Sequence, residues 1–168
     1  MAVLPRVSGD YGFYGFFDIR DPQALFKKLR YDYQHICADP LNAFPVWDFF
    51  VTANHLVDWI WPSAGTAQHR QERAAETIPR ICEHLANGAK HYIVNRAHVA
   101  VTQIERTGEA FAGYRSERAE ECDTLLISLD AREAAELGTT RITAWELARH
   151  VLIYWGRRMG NSDVLGFD

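Results

Sequence analysis

Apolar positions recur at helical spacing over most of this chain. After Asp21-Pro22, where aspartate can cap a helix and proline can take its first position, Leu25, Leu29 and Ile36, with Phe26 and Tyr33, fall on one face. This pattern predicts a first helix to about Cys37, ended by Asp39-Pro40. A second helix is predicted over about 42–61, ending at the WIWP sequence. Phe44, Trp47, Phe49, Phe50, Val51, Leu56, Val57, Trp59, Ile60 and Trp61 cover almost every direction around its axis, the mark of a helix buried on all sides. The PSAGT stretch (62–66) reads as a turn and AQHRQERAAET as a polar helix. Pro79 forces a break, so Thr77 should cap a new helix from Ile78 to about Tyr92.

Period-two and β-branched runs follow. HVAVTQIE (98–105) and DTLLISL (123–129) suit the two strands of a hairpin, separated by an acidic connection. Thr143 and Glu146 form a capping box before a final helix, about 143–159, with Leu147, Val151, Tyr154 and Trp155 on its apolar face and Gly160 as its stop. Residues 1–20, rich in glycine and aromatics, read as an extended lead-in, with Phe13, Phe16 and Phe17 covering an edge of the core. Residues 161–168 read as a loose tail. The sum is a mainly α fold: an antiparallel bundle of four to five helices with a small β-hairpin before the last helix. A chain of 168 residues supports one such core, so residues 1–168 form a single domain.

Composition narrows the function without fixing it. A net charge of −4 argues against duplex DNA as the main partner, which would need clustered positive charge. The charge is uneven: residues 70–106 hold six bases against four acids, and residues 141–158 four against one. If those stretches pack together, one face is mildly positive. Asp48, His55 and Asp58 interrupt the longest apolar stretch, which excludes it as a membrane span. Cys37, Cys82 and Cys122 form no CxxC pair, and buried, reduced thiols are their simplest state. No secretory leader pattern precedes the fold, so a cytoplasmic location is expected.

The candidate chemistry lies on two helices. Asp48, Thr52, His55 and Trp59 stand at offsets 0, 4, 7 and 11 on the second helix. Arg80, His84, Asn87 and His91 repeat those offsets beyond Pro79. Polar groups inside an apolar helix must find partners, so the two stripes are expected to face each other. Gly88, placed in mid-helix at a cost of about 1 kcal/mol relative to alanine, calls for close helix approach or a ligand against the backbone.

The segment Ala86-Asn87-Gly88-Ala89-Lys90-His91 resembles the Arg-Asn-x-x-x-His motif of the HEPN helical-bundle family, with asparagine and histidine in register. Ala86 stands where that motif has its arginine. The resemblance implies a bundle, often dimeric, that binds or cleaves RNA as a metal-independent ribonuclease, in a defence or toxin setting. His91 would be the acid or base, Asn87 would orient it, and Arg80 and Lys90 would contact phosphate, with His84, His55 and Asp48 as a supporting polar network. Arg30 and His35 share the motif's end spacing without its polar residue.

Two other readings stand beside it. In one, the chain is a non-catalytic protein-interaction or dimerisation module and its histidines are structural. In the other, His55, His84, His91 and Asp48 bind a metal ion, although His84 and His91 lie about 10 Å apart along a helix and no HExxH motif is present. No cofactor-binding or nucleophile motif occurs, so no cofactor is expected. Trp47, Trp59, Trp61 and Trp155 either line a ligand pocket or fill the core.

Overall fold

The structure is a computed structural model that describes residues 16–63, 65–90, 100–107 and 124–161. Among these, six helices and three strands run in the order α1 (Pro22–Ala38), α2 (Ala43–Ile60), α3 (Thr66–Ala75), α4 (Thr77–Lys90), β1 (Val101–Thr107), β2 (Thr124–Leu129), α5 (Ala131–Leu137), β3 (Arg141–Thr143) and α6 (Ala144–Arg158). The fold is mainly helical, as the periodicity indicates.

Local chemistry fixes most boundaries. Asp21 accepts a hydrogen bond from the Ala24 N–H at 2.7 Å and Pro22 opens α1. Asn42 caps α2 through Phe44 N–H, and the Thr143 hydroxyl accepts from Glu146 N–H at the start of α6. The break between α3 and α4 falls at Glu76, whose backbone is extended. Pro79 then lies in the first turn of α4, where its missing N–H would have no helical partner in any case.

The sheet has the order β1-β2-β3 and is antiparallel throughout, with Ile104 opposite Ile127 and Ile127 opposite Ile142. A bulge between Val101 and Gln103 bends the start of β1. The core lies among α1, α2, α4 and α6 and one face of this sheet, onto which α4 and α6 pack. It is built on Leu29, Ile36, Phe49, Leu56, Ile81, Ile127, Leu147, Val151 and Trp155, all nearly inaccessible to solvent.

Four expectations need correction. The hairpin gains a third strand, and a short helix, α5, separates β2 from β3. The second helix is not buried all round: Phe49, Phe50, Ala53, Leu56 and Val57 form its core face, whereas Phe44 is 81% exposed and Trp47 53% exposed. Phe16 and Phe17 are exposed rather than covering the core, and Phe13 lies outside the described residues. Cys37 is exposed while Cys82 is buried, and Cys122 lies outside the described residues. No helix among the described residues is long and apolar enough to cross a membrane.

Candidate functional site

The sequence stripes do not converge in the described contacts. Asp48 is exposed, and its charge is felt at Asp32 on α1. Burial raises the Asp32 pKa, Lys28 opposes the shift through a hydrogen bond and its charge, and the Asp48 charge adds to it. His55 is exposed, with Nδ1 3.2 Å from Asp58 Oδ2. Asp58 in turn accepts from the Arg73 guanidinium at 2.8 Å and lies 3.1 Å from His69 Nδ1. His55 therefore belongs to a polar cluster between α2 and α3, not to a pair with α4.

Arg80 is engaged elsewhere. Its Nε donates to Glu133 at 2.8 Å and its Nη2 to Glu136 at 3.0 Å, while Nη1 donates to the Ala74 carbonyl. Thr77 donates to the same Glu136 carboxylate. Both Arg80 and Glu133 side chains are buried, at 9% and 4% exposure, so this arginine ties α4 to α5. The expected phosphate contact is thus spent on carboxylates. Arg73, Arg141 and Arg158 are also paired, with Asp58, Glu105 and Glu72, which dilutes the positive face suggested by charge counts. His91 and the Lys90 side chain lie outside the described residues, and Asn87 is half-buried on α4.

The ring of His84 faces the sheet. Its Nδ1 accepts from the backbone N–H groups of Ala100 and Val101, each at 2.8 Å, which places the neutral ring's proton on Nε2. One side chain thereby satisfies two donors where β1 begins, next to its bulge. Replacing His84 with alanine should lower unfolding stability in urea by about 1–3 kcal/mol, the cost of leaving such donors unmet. A loss too small to measure would mean that water replaces the ring without penalty.

Around His84 the structure forms a groove of about 570 Å³. Helices α2 and α4 and strands β1 and β2 build it, with Ala144 at the start of α6. Ala43, Val46, Trp47 and Phe50 stand at i, i+3, i+4 and i+7 along α2. His84, Leu85, Gly88 and Ala89 stand at i, i+1, i+4 and i+5 along α4. Leu125 and Ile127 project from β2 at strand alternation, and β1 closes the side from Val101 to Ile104. Among the described residues no charged side chain lines the groove, and the polar side chains that do are His84, Thr102 and Gln103. Gly88, singled out by its place in mid-helix, lies on this wall, where a larger residue would narrow the space. The sequence also contained the α2 stripe, but an open groove and a buried helix write the same apolar pattern.

Among the described residues no group of three or more His, Cys, Asp or Glu side chains is arranged to hold a metal ion, and Asp48, His55 and His84 do not share a centre. Burial raises the pKa of the Cys82 thiol, and partial desolvation raises that of Cys37 although the residue is exposed, the opposite of what activates a thiolate. No family model, no curated protein and no solved structure matches this chain.

Proposed function

We propose that this chain is a non-catalytic binding module whose groove between α2, α4 and the β1–β2 hairpin receives an apolar segment of a protein. The carrying observation is the groove's composition: a volume of about 570 Å³, an aromatic wall of Trp47 and Phe50, and no charged side chain among the described lining residues. Exposed Phe44, Trp47 and Ile104 extend the apolar surface at or beside its rim, a combination that soluble domains rarely leave without a use. Two helices over a sheet suit a helix-in-groove mode, with anchors entering at i, i+3 or i+4, and i+7. The segment is supplied by another protein or by a second copy of this chain.

Two observations favour this reading over RNA cleavage. Ala86 replaces the motif arginine, and Arg80 is held by Glu133 and Glu136. The test uses Nile red, an uncharged dye that brightens in apolar sites. Wild-type protein should bind it saturably, and Ala89→Trp, which fills the groove, should abolish binding without lowering the melting temperature. Sedimentation velocity separates self-association from a foreign partner. Dye binding indifferent to Ala89→Trp would remove the groove from the function. RNA cleavage by pure protein, lost in His91→Ala, would replace this reading with the nuclease one.

A further inference from the structure

Helix α3 is attached differently from every other helix of comparable length. None of its residues is buried, and its apolar residues, Ala67, Ala74 and Ala75, are all exposed. Apolar burial, the main force holding helices to a core, contributes almost nothing here. Its N-cap residue, Gly65, supplies no capping side chain. At ten residues it is also shorter than the roughly 12–15 at which an isolated helix becomes even marginally stable. It can persist as a helix only while docked.

The docking is polar. Arg73 Nη2 donates to both Asp58 oxygens at 2.8 Å and to the Asn54 carbonyl at 3.3 Å. His69 places Nδ1 3.1 Å from Asp58 Oδ1 and Nε2 2.9 Å from the Trp61 carbonyl oxygen. Farther along, Glu72 meets Arg158 of α6, whose guanidinium also lies over the Trp61 ring, and the Ala74 carbonyl accepts from Arg80 of α4. Asp58 is the hub of these contacts, with His55 as its neighbour on α2. The interface carries a built-in cost: Arg73 Nε and Asn54 Oδ1 are buried without a partner, and opening would rehydrate both.

We infer that α3 is a strap latched by Asp58, which releases and loses its helical structure as a unit while the core stays folded, uncovering the Trp61 end of α2. The Asp58 carboxylate at the hub is 37% exposed, so salt screens its contacts and ionic strength works the latch in the wild-type chain. Burial-driven contacts elsewhere in the fold do not share that weakness.

Hydrogen–deuterium exchange of the full chain tests this directly. Wild-type amides within 66–75 should be protected at low salt. Asp58→Asn, which keeps the side chain's shape and removes its charge, should speed their exchange at least about tenfold. Amides of Phe49–Val57 and Val151–Trp155 should keep their wild-type rates. Arg73→Gln should reproduce the effect, as should about 1 M sodium chloride on the wild type. Unchanged protection of 66–75 in both variants would overturn the latch. Equal acceleration of the core amides would overturn it too, since α3 would then belong to the core's cooperative unit. Failure of the latch would leave the groove proposal untouched, because no groove residue takes part in it.

Discussion

Arg80→Ala should cost the domain about 3–5 kcal/mol of unfolding free energy, the range for removing one partner of a buried ion pair. The reason is the carboxylate left behind. Glu133 is 4% exposed and receives Arg80 Nε at 2.8 Å, so the alanine variant strands a buried negative charge without its partner. Glu136, at 44% exposure, can turn to water and loses less. Urea unfolding with an unchanged m-value measures the loss. Replacing both residues, as Arg80→Met with Glu133→Leu, should recover most of it, because a well-packed apolar pair avoids the desolvation cost. If Arg80→Ala left stability intact while removing an activity on RNA, the arginine would be a working group and not a fastener of α5.

The second large effect separates the two faces of α2. Phe49 is fully buried and meets Phe50 edge-on at 5.3 Å between ring centroids. Phe49→Ala should lose about 3–5 kcal/mol, combining lost transfer free energy with the cavity left behind. Phe44, five residues earlier and 81% exposed, should change by less than about 0.5 kcal/mol when cut to alanine. Thermal or urea unfolding of both variants checks the contrast. Comparable losses would mean that α2 is enclosed on all sides and that no open wall exists beside the sheet.

That contrast also marks what could be read from the sequence. Elements announced by local chemistry were legible: the Asp21-Pro22 start, the Thr143 cap of α6 and the strands carrying Ile104 and Ile127 all depend on residues a few positions apart. Helix α5 and strand β3 were not. The helix is seven residues long with only Glu133 buried, and the strand has three residues, ending on the threonine that caps the next helix. Neither is long enough to show a period. Partners were hidden by distance along the chain, since Arg80 lies 53 residues before Glu133 and His84 lies 16 before Ala100. For α2, periodicity reports that every direction is apolar and is silent on whether protein covers each one. The polar stripe through Asp48 and His55 was visible, yet the neighbours that the His55–Asp58 pair meets on α3 were not, because relative helix rotation is decided by packing. The Asp58–His69–Arg73 cluster left only a faint signal, a His55/Asp58 pair at i, i+3 and a His69/Arg73 pair at i, i+4.

The groove itself is best tested by an amide chemical-shift titration of the full chain with an uncharged aromatic probe, 2-naphthalenemethanol. Saturable shifts should cluster in residues 43–50, 84–89 and 101–104, with α3 and α5 unmoved. Shifts centred on another part of the molecule, or none that saturate, would show that the wall formed by Trp47, Leu85 and Ile127 receives no apolar guest.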